Sequence, residues 1–188
     1  MADSRTAEDK IAILQRFVDR YGDDLTTVGS ALGDPSTPPP AQRLLIGALN
    51  YALDMLDMFP DHYKGLGVAD DAMVLRLAAK LAVTAGATNA PLVTLAGEAS
   101  DVAAVFEDLA APLEKLVETF PAREVRGRTA DKILGHKDTL VMFDADVSRE
   151  AKRHTPQPID TKVEGPARAL IELRKMIEHA VTKAGIPR

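Results

Sequence analysis

The chain has 188 residues, enough for one domain with a sizeable core, and its apolar fraction of 46% argues against wholesale disorder. It contains no cysteine, which excludes disulfides, thiolate metal sites and a cysteine nucleophile. The net charge of −5 combines an acidic stretch over residues 1–121 with a mildly basic remainder. Because no dense basic stripe with interleaved aromatic residues is present, we expect no nucleic-acid binding.

The N-terminal residues 1–10 are polar and acidic, without the basic start and apolar centre of a signal peptide. The longest uncharged run, residues 81–97, contains Asn89 and Pro91 and is too weakly apolar to cross a bilayer. We therefore expect a cytoplasmic protein that does not associate with membranes.

The first predicted helix begins at Thr6, which forms an approximate capping box with Asp9. Apolar residues follow at helical spacing, and they comprise Ile11, Leu14, Val18 and Tyr21. Gly22 is a natural helix stop, so a separate short helix is predicted over residues 24–32.

Four prolines between residues 33 and 40 forbid regular backbone hydrogen bonding there. Residues 35–40 are therefore predicted to be a linker. It separates an N-terminal helical arm, residues 1–34, from a helical body, residues 41–188.

Residues 41–85 are predicted to form an αα-hairpin. Its first helix begins at Pro39 or Pro40, where proline suits the first turn, and runs to about Met58. Its second helix runs from Val68 to about Ala85, after a loop that contains Pro60 and two glycines.

The clearest amphipathic pattern covers residues 101–120 and predicts one helix, preceded by a short helix or turn over residues 89–97. Pro112 falls on its polar side and should kink it, and Pro121 should end it. We expect this helix, including Phe106, to lie at the centre of the core.

The apolar residues between positions 123 and 163 follow a less regular spacing than those of the preceding helices. Thr129 is a candidate cap for a short helix to Leu134, whereas the apolar run 139–143 fits a strand or a helix start equally well. A last helix is predicted over residues 166–184. The predicted fold is an all-α bundle of about six helices with the αα-hairpin at its centre, and residues 123–163 leave room for a minor β element.

The hairpin sequence resembles the signature of the bacterial YkvA family, in which a tyrosine precedes a Pro-Asp loop, a glycine and an Asp-Asp pair that opens an apolar helix. The matching positions in this chain are Tyr51, Asp57, Pro60, Asp61, Gly67, Asp70 and Asp71. Met55 stands where the family has its first proline. The resemblance covers about residues 41–82 and implies a helical hairpin of uncharacterised function.

Carboxylates converge on the loop of this hairpin. Asp57, Asp61, Asp70 and Asp71 together could hold a hard cation such as Mg²⁺ or Ca²⁺ through oxygen ligands. The alternative is structural: Asp70 and Asp71 cap the second helix, and Asp57 or Asp61 bonds amides of the loop. We expect the structural role, and no cofactor.

Two other motifs are weaker. Asp144 and Asp146 follow an apolar run, as in the Asp-x-Asp motifs of haloacid-dehalogenase-type phosphatases and of nucleotide-sugar glycosyltransferases, but no parallel sheet is predicted to support either activity. We expect two exposed aspartates on a helix start or edge strand. Arg123, Arg126 and Arg128 form a small basic cluster that we expect to lie in a solvated loop.

The function expected from these patterns is that of a non-enzymatic interaction or scaffold protein, with a protein partner or a second copy of itself. The alternative is a metal-dependent hydrolase or phosphate-handling enzyme that uses the carboxylates between Asp57 and Asp71.

Overall fold

A computed structural model of the protein describes residues 5–54, 58–59, 66–161 and 165–187. This part of the chain contains no β-strand, and its single β-bridge joins Val125 to Arg128. The all-α prediction is therefore confirmed. The helices are α1 (Ala7–Leu32), α2 (Pro39–Tyr51), α3 (Ala69–Thr84), α4 (Ala90–Gly97), α5 (Ala99–Phe106), α6 (Ala110–Glu118), α7 (Ala130–Gly135), α8 (Lys137–Arg153) and α9 (Gly165–Lys183), with 3-10 turns at Glu107–Leu109 and Phe120–Ala122.

The first helix begins as predicted but does not stop at Gly22. Thr6 and Asp9 form both hydrogen bonds of a capping box. The helix then continues through Gly22 to Leu32, so the prediction of two helices was wrong. The glycine serves packing instead, because a Cβ at Gly22 would lie 2.9 Å from the carbonyl oxygen of Ala151 in α8.

Helix α1 lies in the hydrophobic core, where its buried residues include Leu14, Phe17 and Val28. It packs against α2, α3, α8 and α9. The described parts of the predicted arm and body thus share one core, while the linker boundary at residues 35–40 stays a prediction.

The hairpin helices α2 and α3 pack against each other. Helix α2 begins at Pro39 as predicted, but it ends at Tyr51 rather than at Met58. After Tyr51 the α-helical bonding stops, because the amides of Leu53 and Asp54 donate to carbonyl oxygens three residues earlier. Further along the chain, the amides of Met58 and Phe59 donate to the side chain of Asp70.

The predicted single helix over residues 101–120 is broken. Glu107 has a φ of 52°, and a 3-10 turn separates α5 from α6 at this point. The guanidinium of Arg174 in α9 donates to the carbonyl oxygen of Phe106, at 2.9 Å, and pairs with Asp108. Contacts from another helix therefore hold the break. Pro112 is buried in the first turn of α6, not on a polar face, and its missing N–H removes no bond there.

Thr129 caps α7 as predicted, and its hydroxyl accepts from the amide of Lys132. Residues 139–143 belong to α8, so the strand alternative for this run was wrong. Phe143 and Val147 turn inward from α8 onto the core. No helix among the described residues combines the length and the apolar character that crossing a bilayer requires.

Candidate functional site

Two of the four predicted carboxylates are buried at the junction of α1, α2 and α3. Asp70 and Asp71 lie in the first turn of α3 and are 0% and 4% exposed. The other two, Asp57 and Asp61, lie outside the described residues. The junction also contains the phenol groups of Tyr21 from α1 and Tyr51 from α2, both buried.

Asp70 joins α3 to the end of α2. Its Oδ2 accepts a hydrogen bond of 2.6 Å from the Tyr51 hydroxyl, and bonds of 3.0 and 3.2 Å from the amides of Met58 and Phe59. The residue at the N-cap of α3 is Val68, with no side-chain cap bond. The prediction that Asp70 and Asp71 cap their own helix was therefore wrong, because both side chains turn towards neighbouring segments.

Asp71 makes the corresponding connection to α1. Its Oδ2 lies 3.4 Å from the hydroxyl of Tyr21, which also reaches the carbonyl oxygen of Ala52 at 3.5 Å. These bonds are long and weaker than the bond between Tyr51 and Asp70. Together the two aspartates connect three helices.

Both tyrosines stay protonated over the physiological pH range. Burial raises the pKa of Tyr21 and of Tyr51 well above 10, and the negative charges of Asp70 and Asp71 raise both pKa values further. Each phenol therefore serves as a hydrogen-bond donor to a carboxylate. This arrangement suits structural cross-linking of the three helices.

Asp54, beside the predicted cluster, forms an ion pair with an arginine from a later segment. Its Oδ2 pairs with the guanidinium of Arg123 at 2.6 Å, and this guanidinium lies 5.0 Å from the centroid of the Tyr51 ring. Tyr51 also packs on Phe120, whose ring is stacked at 4.6 Å with an interplanar angle of 14° and whose centroid lies 5.8 Å from the same guanidinium. The end of α2 is thus fixed by aromatic and ionic contacts from residues 120–123.

A pocket of about 460 Å³ opens beside this aromatic pair, between α2, α6 and α9. Ligand pockets in proteins have volumes of roughly 300–1,000 Å³. The pocket is lined by Tyr51, Met58, Leu116, Thr119, Phe120, Ala122, Arg123, Met176, His179, Ala180, Lys183 and Ala184. Its walls combine apolar side chains with basic groups.

A second buried cluster centres on Arg76, which sequence reasoning missed. The side chain is 0% exposed and lies 3.9 Å from the centroid of the Phe17 ring. It pairs with Asp24 at 2.8 Å and with Glu98 at 3.0 Å. Glu98 also binds Arg20 on the surface of α1. The signal for this cluster was a lone arginine within the apolar run of residues 72–79.

In this cluster, burial and the neighbouring charges shift the pKa values in opposite directions. Burial raises the pKa of Asp24, although the positive charges of Arg76 and Arg20 oppose the shift. Burial also lowers the pKa of Arg76. For Glu98, burial raises the pKa, but hydrogen bonds and charges from Arg20 and Arg76 outweigh it, so the pKa is lowered. Each charged group of the cluster is thus paired with another member of it.

The Asp-x-Asp motif on α8 and the basic cluster of residues 123–128 contain residues that form ion pairs. Asp144 is exposed on α8 as expected, but Asp146 is half-buried and pairs with Arg128 at 3.0 Å and Arg149 at 3.1 Å. The expectation of a solvated basic loop was wrong for Arg123 and Arg128, because each binds an aspartate.

Within the described ranges, no group of three or more His, Asp or Glu side chains has the arrangement to hold a metal ion. Since Asp57 and Asp61 lie outside those ranges, the metal site over Asp57, Asp61, Asp70 and Asp71 stays a prediction.

Comparisons with protein-family models, with curated proteins and with solved structures found no significant match. The resemblance to the YkvA family therefore also stays a prediction.

Proposed function

We propose that this chain is a non-enzymatic interaction or scaffold protein that pairs with a second copy of itself through the outer face of α8. The observation that carries the proposal is a pair of adjacent apolar side chains on that helix: Val141 is 61% exposed and Met142 is 66% exposed. Large apolar groups exposed to water favour burial against a partner, and Met142 is the more exposed of the two.

The outer face of α8 has the spacing of a helical seam. Asp138, Met142, Ala145 and Arg149 recur at intervals of four, three and four residues, so they follow one stripe along the helix. All four are exposed, while Phe143 and Val147 occupy the opposite, buried face. We call these four residues the α8 seam.

The α8 seam is complementary to itself. If two copies of α8 cross antiparallel about a two-fold axis between residues 143 and 144, Met142 lies opposite Ala145 of the second copy. The same axis places Asp138 opposite Arg149 at both ends. A two-fold interface requires such matching of one patch with itself, and the matched pairs here are one apolar and one ionic.

Sedimentation equilibrium over a wide range of protein concentration tests the pairing. A short seam buries little area, so we expect a weak dimer. Met142→Glu should give a monomer, because it places a carboxylate in the apolar centre. Ile171→Glu is the matched control, because it makes the same kind of change at an exposed residue of α9.

Charge reversal provides a sharper test of the two-fold geometry. Asp138→Arg and Arg149→Asp should each weaken the dimer, because each places like charges opposite each other. The double variant should restore it. A wild-type mass that stays monomeric at all concentrations, or a double variant no better than the single variants, would contradict the proposal.

The metal-dependent alternative rests on the adjacent burial of Asp70 and Asp71 and on the bonds from Met58 and Phe59 to Asp70. These two donors stand between Asp57 and Asp61 in the sequence. If the four aspartates bind Mg²⁺ or Ca²⁺, the metal should raise the melting temperature of the wild type and not that of Asp71→Asn. Melting temperatures that are unchanged by both metals would leave the structural role as the explanation for the cluster.

A further inference from the structure

We propose that the pocket between α2, α6 and α9 binds a small anionic amphiphile, with its apolar body against the aromatic pair Tyr51 and Phe120 and its anionic group at Lys183 and His179. This inference goes beyond the proposed function, since none of these residues belongs to the α8 seam. The ligand is a free molecule with an acyl or aryl body and one carboxylate or similar anionic group.

The inner walls of the pocket are apolar. The stacked rings of Tyr51 and Phe120 form one wall, and both are almost fully buried by the protein around them. Leu116 from α6 is 7% exposed, and the half-buried side chains of Met58 and Met176 complete the apolar surface. Methionine side chains adapt to irregular shapes, so such walls accept a range of apolar bodies.

The rim of the pocket is basic. His179 and Lys183 are exposed and lie four residues apart on α9, so they face the same side of the helix. The third basic group, Arg123, is paired with Asp54 and held over the Tyr51 ring. Lys183 therefore supplies the positive charge for an incoming anion, while His179 offers a ring nitrogen for a hydrogen bond.

Two acidic groups beside the aromatic pair are already bonded, and the first of them, Asp54, is paired with Arg123. Asp70, which is bonded to the Tyr51 hydroxyl, is 0% exposed and already accepts three hydrogen bonds at Oδ2. At the end of α9, the carbonyl oxygens of residues 180–182 accept from the amides of residues 184–186. The helix end thus has bonded carbonyls beside the pocket, and an anion at Lys183 does not meet them as free acceptors.

Three probes with the same ten-carbon body separate the apolar from the ionic contribution. Decanoate, decanol and decylammonium are titrated into the full-length protein, the two ions below their micelle-forming concentrations and decanol below its solubility limit. Binding is measured by calorimetry and by amide chemical shifts. Decanoate should bind more tightly than decanol by about twofold to fivefold, the range for one exposed ion pair. Decylammonium should bind most weakly, and the shifted amides should be those that surround the pocket.

Variants of α9 locate the site. Lys183→Gln should remove the advantage of decanoate over decanol, whereas Lys175→Gln removes the same charge from an exposed position of α9 outside the pocket and should leave it unchanged. Ala184→Trp fills the rim from an exposed position and should weaken all three probes. Melting temperatures confirm that each variant is folded.

Several results would overturn the proposal: no binding of decanoate, equal or tighter binding of decylammonium, or equal losses in Lys175→Gln and Lys183→Gln. Binding to vesicles that contain an anionic lipid, lost in Lys183→Gln and without any binding of free decanoate, would also overturn it by assigning these residues to a membrane surface.

Discussion

The hydroxyl of Tyr51 lies 2.6 Å from Oδ2 of Asp70 and donates to it, so the last turn of α2 is bonded to the first turn of α3. The same oxygen accepts the amides of Met58 and Phe59, and the amide of Met58 also donates to the Tyr51 hydroxyl at 2.8 Å. One buried carboxylate thereby organises the end of one helix, the start of the next and part of the chain between them.

Removal of this bond should destabilise the fold. Tyr51→Phe should lower the free energy of unfolding by about 1.5–3 kcal/mol, the range for a hydrogen bond to a charged group. Tyr21→Phe is the matched control: its hydroxyl lies 3.4 Å from Asp71, and we expect a smaller loss of about 0.5–1.5 kcal/mol. Urea unfolding measures both. Equal losses of unfolding free energy in the two variants would show that the shorter bond stabilises the fold no more than the longer one.

The two tyrosines should make stability depend on pH in alkaline solution. Their folded pKa values are raised well above 10, whereas an unfolded tyrosine has a pKa of about 10. The stabilisation is thus complete below about pH 10 and decreases as the pH rises from there towards the folded pKa, by up to about 1.4 kcal/mol per pH unit and per group.

In the double variant Tyr21→Phe/Tyr51→Phe, the free energy of unfolding should depend less on pH in alkaline solution, because only the contribution from lysines remains. Urea unfolding at a series of pH values from neutral into the alkaline range compares it with the wild type. Identical slopes for the two proteins would contradict the assignment.

Arg76 should be among the least replaceable side chains. Arg76→Met leaves Asp24, which is 1% exposed, without its buried partner, and we expect a loss of about 3–5 kcal/mol. Arg16→Met removes an arginine from an exposed ion pair with Asp101 and should cost at most about 1 kcal/mol. Thermal and urea unfolding measure the difference. A loss below that of Arg16→Met would mean that Asp24 finds another partner or becomes neutral.

Gly47 allows close contact between α2 and the 3-10 turn at Phe120–Ala122. A Cβ at Gly47 would lie 2.6 Å from the backbone nitrogen of Pro121, and backbone atoms cannot move aside as a flexible side chain does. Gly47→Ala should therefore cost about 1–3 kcal/mol. Gly97→Ala meets no atom within 4 Å and should instead stabilise by about 0.4–1 kcal/mol. Stabilisation by both changes would contradict the close approach.

Local chemistry along the chain was enough to predict the helical class and several helix ends. Thr6 and Thr129 each begin a helix with a side-chain cap bond, and Pro39 opens α2. These signals act over three or four residues, so they are readable without knowledge of the fold.

Contacts between distant segments decided the helix ends and side-chain partners that local sequence did not predict. Gly22 permits the approach of α8 instead of ending α1, and Arg174 from α9 holds the break after Phe106. Asp70 bonds Tyr51, 19 residues earlier, rather than the amides of its own helix. In each case a local preference of about 1 kcal/mol competes with contacts between segments distant in the chain. Only the folded arrangement reveals those contacts, and it also brings Arg76 to Asp24 and α9 to the aromatic pair that forms the pocket.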